Sequence, residues 1–300
     1  MQRIILLLDM DAFFAQIEER ENPHFRGKSI VVGADPKNGE GRGVVSTCNY
    51  KARTYGIHSA MPISEAWKLC SEAVFLPVNG RLYSEVSQRI MDILQKYTNM
   101  VEPMSLDEAY LDISFVKSFA KAKELAEKIR KDILQQEKLP SSCGVASNKM
   151  VAKIACEKAK PNGVVVVEPS AVQDFLSPLP IRDIPGVGPK TEASLEQFFK
   201  RKELTVKDIR KANKQELIKL LGVFGDALYS KIWGTESSPV SVKEQAKSIG
   251  KEHTFERDTR DAEEIFPVFR DLITGVISEL KKEDFSFKTI TVVCRFQGFE

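Results

Sequence analysis

The chain has 300 residues, 42% of them hydrophobic and 29% charged, with a formal net charge of +2. This is an ordinary globular composition, which excludes a disordered or collagen-like chain, and so small a charge does not by itself announce a nucleic-acid partner. The five cysteines (Cys48, Cys70, Cys143, Cys156, Cys294) form no C-x-x-C pair, and with three scattered histidines they exclude a zinc pattern and a disulfide framework.

In chain order, RIILLLD (3–9) reads as a buried strand ending in Asp9. Its apolar run, Ile4–Leu8, is too short for a signal segment or a membrane span. With the unpaired cysteines, that predicts a cytoplasmic protein. AFFAQIEERENP (12–23) has helical spacing and stops at Asn22-Pro23. SIVVGA (29–34) is a second strand, DPKNGEGRG (35–43) a polar loop, and VVSTCNYKARTYG (44–56) starts extended and turns helical. A short helix over 63–70, a strand over 73–78 and an amphipathic helix over 83–97 follow. Next come a strand over 109–114, a long helix over 119–137, a strand over 143–147, a helix over 148–160 and a strand over 163–168. Strands and helices alternating through residue 168 predict an α/β or α+β arrangement. Residues 171–234 read as wholly helical and 237–245 as a linker. Residues 248–256, 262–282 and 288–296 read as a further β-α-β unit. That last fragment, about 53 residues, has little core of its own and is expected to be an incomplete domain. Residues 169–235 carry 11 Lys/Arg against 8 Asp/Glu, whereas 236–300 carry 10 against 13.

MSLDEAYLD (104–112) places Asp107 and Glu108 side by side at the start of a strand. Successive strand side chains point to opposite faces, so either one acid faces solvent or the backbone bends there. If this strand pairs with the first, Asp9 joins them at one end of a sheet. Oxygen-only donors without His or Cys suit magnesium or manganese. The plainer alternative, solvated strand-end acids, has equal weight on spacing alone. Tyr50 and Arg53, three apart, share a helix face and suit a phosphate clamp; an exposed arginine over a packed tyrosine is the commoner case. Lys160, at a helix end before a proline turn, is placed either to reach phosphates or simply to compensate the helix dipole.

Five motifs in one order carry a resemblance: DMDAFFAQIE (9–18), STCNYKAR (46–53), SLDEAYLDI (105–113), SNKMVAKIACEKAKPNG (147–163) and DIPGVGPKT (183–191). Over nearly the whole chain they resemble the Y-family, or translesion, DNA polymerases, in the branch containing bacterial polymerase IV and eukaryotic polymerase kappa. The resemblance implies an α+β multidomain right hand. A ferredoxin-like palm would comprise 1–11 and 80–168, small fingers 12–79, and a helical thumb with a helix-hairpin-helix 169–235. A linker over 236–247 would lead to a partial little finger over 248–300. It implies template-directed addition of dNTPs to a primer 3′-hydroxyl by two-metal phosphoryl transfer, with low fidelity and no proofreading. Asp9, Asp107 and Glu108 would be catalytic and, with the Met10 carbonyl, would bind two Mg2+ ions, for which Mn2+ could substitute. Asp11 would support the site. Phe13, Phe14, Thr47, Tyr50, Arg53 and Lys160 would contact the dNTP, with Phe14 a steric gate against the 2′-hydroxyl of a ribonucleotide. The small Ser46 and Ala60 would leave the base pair loosely checked.

IRDIPGVGPKTEASLEQF (181–198) resembles the helix-hairpin-helix, whose Gly186, Gly188 and Lys190 would hold DNA phosphates without reading sequence; a plain αα-turn is the alternative. The partners implied are primer–template DNA, a dNTP and, through a C-terminal tail outside this sequence, a sliding clamp. The protein would act as a monomer away from membranes. The net negative charge of 236–300 departs from a DNA-gripping domain. A non-catalytic DNA-binding scaffold would be expected to lose a carboxylate or Arg53, and both are kept. A nucleotide cyclase would share acids on a sheet but need no helix-hairpin-helix.

Overall fold

The apolar N-terminal run becomes the middle of a sheet in a computed structural model, which describes residues 2–242 and 247–296. The strands are β1 (Ile5–Met10), β2 (Ile30–Gly33), β3 (Val45–Cys48), β4 (Val74–Leu76), β5 (Val101–Pro103), β6 (Glu108–Asp112), β7 (Ser141–Ala146) and β8 (Val164–Val166). The helices of the first half are α1 (Phe13–Glu21), α2 (Tyr50–Arg53), α3 (Ile63–Leu69), α4 (Gly80–Gln95), α5 (Phe119–Glu137) and α6 (Lys149–Ala159). Those of the second half are α7 (Val172–Leu176), α8 (Pro189–Phe199), α9 (Val206–Ile209), α10 (Lys214–Leu221), α11 (Val223–Ile232) and α12 (Ala262–Lys282). The chain divides into two compact units, Met1–Glu21 with Asn79–Val242, and Asn22–Val78 with Lys243–Glu300.

In the first unit the sheet order is β5-β6-β1-β7-β8. β1 pairs antiparallel with β6 and β7, and all six of its residues are buried. Ile5 and Leu7 share one face of β1 and pack in a core with Tyr110 and the apolar residues of α6, including Val151, Ile154 and Ala155. α6 begins at Asn148, whose side chain accepts from the Val151 N–H at 2.9 Å. It lies tight against β7 because residue 144 is glycine: a Cβ there would stand 2.0 Å from the Ala152 carbonyl oxygen and 2.3 Å from the Cys156 nitrogen. Gly144→Ala should therefore force helix and strand apart and cost about 3 kcal/mol, read as a lower urea midpoint at unchanged slope.

α5 buries Ala122, Ala126, Ile129 and Ile133, spaced by four and three residues as one helix face requires. At its end the buried Glu137 accepts from Arg89 at 2.7 and 3.0 Å and from Arg20 at 2.9 Å. Burial raises the Glu137 carboxyl, but the hydrogen bonds and charges of Arg89 and then Arg20 outweigh it and hold it below 4.5. A carboxyl lowered by folding stabilises fully above its unfolded value and loses that contribution as pH falls through the folded one. Glu137→Gln should cost about 1–2 kcal/mol at pH 7, and its difference in Tm from the parent should shrink as pH falls below 4.5.

Three features depart from the sequence reading. β5 was not anticipated: three residues ending in Pro103 look like loop, yet they form an edge strand on β6, where proline is tolerated. The first limb of the hairpin near 181 is a three-residue 3-10 turn, Ile181–Asp183, rather than a helix, because Pro178, Pro180 and Pro185 interrupt it. Residues 248–256 and 288–296, expected as strands, are not strands. A strand needs a ladder partner, and among the described residues neither segment pairs with one. Ile290 is accordingly 75% exposed, and α12, formed as expected, exposes Phe266, Phe269, Ile273 and Ile277. The expected linker is described as far as Val242 and from Lys247; its residues 243–246, and residues 297–300 of the expected little finger, lie outside the described residues. Its described first half is tied down: the Ser241 N–H donates to Glu102 at 2.8 Å, and Val240 is buried.

In the second unit the sheet order is β3-β2-β4, β2 running antiparallel to β3 and parallel to β4. Its core gathers Val31, Val45, Cys48, Ala52, Ile57, Ile63 and Ala66. Asn49 joins strand to helix, its oxygen accepting from Ala52 N–H at 3.0 Å and Ile30 N–H at 3.1 Å.

Candidate active site

Two of the three expected acids are register partners: Asp9 on β1 stands opposite Glu108 on β6, just as Leu7 stands opposite Tyr110. Alternation therefore carries the face that packs on α6 out to its polar end, where both carboxylates emerge. Asp107 escapes alternation. β5 and β6 form a hairpin in which the Met104 and Ser105 N–H groups donate to the Glu108 carbonyl at 2.9 and 3.3 Å. Asp107 lies in the bend of that hairpin, and its carbonyl accepts from the Met10 N–H at 2.9 Å. The chain bends between the adjacent acids, and the bend is fastened to the end of β1.

α6 answers these charges. Lys160, which caps it, donates to Asp9 at 2.8 Å and to Glu157 at 2.7 Å. Lys153 donates to both Glu108 oxygens at 2.7 Å. Ser105 donates to Asp107 at 2.6 Å. Burial raises the Asp9 carboxyl to about 7 against the downward pull of the Lys160 charge and hydrogen bond, with Asp107 and Glu157 adding to the rise. Among the described residues no three acid, histidine or cysteine side chains converge as a ready-made ligand set. Each of the three acids is turned to an internal partner. The residues nevertheless fit a hard divalent cation. The donors are all oxygen, and a buried carboxylate driven toward neutrality beside further acids is relieved by positive charge.

Asp11, buried, fastens the strand end to the turn that follows Lys160. It accepts from Ser142 Oγ at 2.9 Å and from the Asn162 N–H at 2.8 Å. Arg130 supports the same turn, bonding the Asn162 side chain and the Ser141 carbonyl.

Phe13 is buried at 2% exposure in the core, whereas Phe14 is half-buried and stacks on Tyr83, ring centroids 4.2 Å apart and planes 15° off parallel. The Tyr83 hydroxyl donates to Glu18 at 2.6 Å, which fixes that ring. Sequence reasoning missed Tyr83 and Lys153. The latter was findable, since Lys153 and Lys160 are seven residues, two helical turns, apart.

Thr47, Tyr50 and Arg53 belong to the second unit. Arg53 lies over the Tyr50 ring at 4.7 Å, as their spacing predicted, and its Nε donates to the Cys48 carbonyl at 3.3 Å. Thr47 sits half-buried on β3, in register with Val32. Back in the first unit, Gly186 has φ +95°, which favours glycine, and Gly188 precedes α8, with Lys190 exposed on its first turn.

Solved structures of one class share the fold. A Y-family DNA polymerase chimera is 37% identical with a TM-score of 0.84, covering 92% of this chain and 80% of that one. The insertion ternary complex of Dbh DNA polymerase is 36% identical with a TM-score of 0.75, at the same coverage. The profile of the impB/mucB/samB family matches residues 8–157, its helix-hairpin-helix motif residues 169–198 and its C-terminal domain residues 246–300. DNA polymerase IV of Methanoculleus marisnigri is 43% identical over 298 residues, 99% of this chain and 82% of that protein. DNA polymerase IV of Staphylococcus aureus is 43% identical over 300 residues, 100% of this chain and 83% of that protein. The chain belongs to the impB/mucB/samB family of Y-family DNA polymerases.

Proposed function

We propose that Asp9, Asp107 and Glu108, with the Met10 carbonyl, hold the divalent ions of a template-directed DNA polymerase. The chain is a DNA-directed DNA polymerase of the translesion class, acting on primer–template DNA and dNTPs, and polymerases of this class depend on divalent metal. The observation that carries the residue assignment is the register pairing of Asp9 with Glu108, with Asp107 fastened alongside by the Met10 N–H. Two Mg2+ ions, with Mn2+ as a substitute, would lower the pKa of the primer 3′-hydroxyl and balance charge on the transferring phosphoryl group. The chain's own residues do the rest. In the first unit Lys160 contacts the dNTP; in the second, Thr47, Tyr50 and Arg53 are dNTP contacts of their own. Phe14, braced by Tyr83, lies under the sugar, with Phe13 packed behind it. Asp11 holds the turn that presents Lys160. Gly186, Gly188 and Lys190 bind DNA phosphates through exposed N–H groups and charge.

In this reading the palm is 1–11 and 80–168, the fingers 12–79 and the thumb 169–235. The linker 236–247 leads to the little finger, 248–300. The small residues Ser46 and Ala60 leave the base pair loosely checked. The protein works as a monomer in the cytoplasm, with a clamp engaged through a C-terminal tail. No helix among the described residues is long and apolar enough to cross a membrane. The test is extension of a primed template with Mg2+ and each dNTP singly. Incorporation that follows the template base is expected; incorporation indifferent to the template, or none, contradicts the assignment.

A further inference from the structure

α6 brings two lysines to the acids, and only Lys160 has a role in the reading above. Lys153 sits symmetrically, its Nζ 2.7 Å from each Glu108 oxygen. The pair is lopsided in burial: the Lys153 side chain is 37% exposed and that of Glu108 14%. Glu108 also faces Asp9 directly across the sheet, an arrangement of like charges that is destabilising unless offset. An ammonium on a flexible stem offsets it without binding in a rigid fork, as a guanidinium would.

We propose that Lys153 is the resident counter-ion of Glu108. It is a positioning residue that keeps the carboxylate oriented and balanced before a divalent ion arrives, and the ion must displace it. This rests on the reading that Glu108 is an ion ligand. A carboxylate occupied by an internal ammonium is competent to take an ion only in the fraction of molecules where the pair is open. If the closed pair dominates about ten to one, the apparent affinity is reduced about tenfold. Removing the ammonium should therefore tighten ion binding, and replacing it with a bidentate arginine should weaken it. A merely structural lysine would not produce opposite signs.

The experiment is a Mn2+ titration of the whole chain without DNA or nucleotide, read by the electron paramagnetic resonance of free Mn2+, with Tm measured alongside. Lys153→Met and Lys153→Gln should each bind Mn2+ about five- to tenfold tighter than the parent, and Lys153→Arg more weakly. Unchanged or weaker binding in both neutral variants, at the parent's Tm, would overturn the counter-ion role; should one of them unfold, the other decides. Glu108→Gln separates the two readings. If it loses Mn2+ while the neutral variants bind no tighter, only the counter-ion role fails. If it binds Mn2+ as the parent does, the ion-ligand reading fails and takes this inference with it.

Discussion

Asp107→Ala and Glu108→Ala are each expected to slow primer extension about a thousandfold or more while leaving the fold intact. Stabilising the charge on a transferring phosphoryl group supplies several kcal/mol, and each 1.36 kcal/mol is tenfold in rate. The fold should survive because the contact that fastens the hairpin to β1 uses the Asp107 carbonyl, which alanine retains. Asp107 and Glu108 are both half-buried at the sheet's end, so neither truncation opens a core cavity. Single-turnover extension at saturating dNTP, with Tm measured alongside, checks this. Extension at the native rate would reject the ion-binding role, whereas a large fall in Tm would mean that the acids serve the fold instead.

Phe14→Ala carries the second large effect, on sugar selection rather than rate. Phe14 cannot swing freely, because it lies stacked on Tyr83, whose hydroxyl is pinned by Glu18. A ribose hydroxyl pressed against that ring would be desolvated without a partner, at about 1–3 kcal/mol, before any steric clash is counted. The ratio of kcat/KM for dNTP over rNTP should thus fall about 10- to 100-fold in Phe14→Ala, chiefly through a gain in rNTP use. An unchanged ratio would remove Phe14 from the sugar site. Tyr83→Leu, which removes both the platform and its bond to Glu18, should relax the same ratio to a lesser degree.

Much of this fold was legible because its elements are long or strongly patterned. The helix over 119–137 was read to the residue, since apolar spacing is a local signal; the structure adds a cap, Ser118, whose side chain accepts from the Lys121 N–H. β1 was legible as an uninterrupted apolar run, which a fully buried central strand requires. β5 was hidden because three residues with a proline carry no period, and only pairing with β6 makes them a strand. The bend at Asp107 was foreseen as one of two options; choosing between them needed the hairpin closure on the Glu108 carbonyl, which no spacing encodes. The strands expected over 248–256 and 288–296 had the right composition, but composition cannot supply a ladder partner. In the site, the acids and Lys160 were visible as motifs. Tyr83 was not read, because its partner Phe14 lies 69 residues away in sequence; the partner of Lys153, Glu108, lies 45 away, and only its two-turn spacing from Lys160 was a local signal.

The most direct test is the anomalous diffraction of Mn2+ in crystals of the protein grown with primer–template and a non-hydrolysable dNTP. Ions are expected within about 2.2 Å of carboxylate oxygens from Asp9, Asp107 and Glu108, with triphosphate oxygens completing their shells. Asp9 still bound to Lys160 alone, with the ions elsewhere on the nucleotide, would contradict the proposed ion-binding role of the acids.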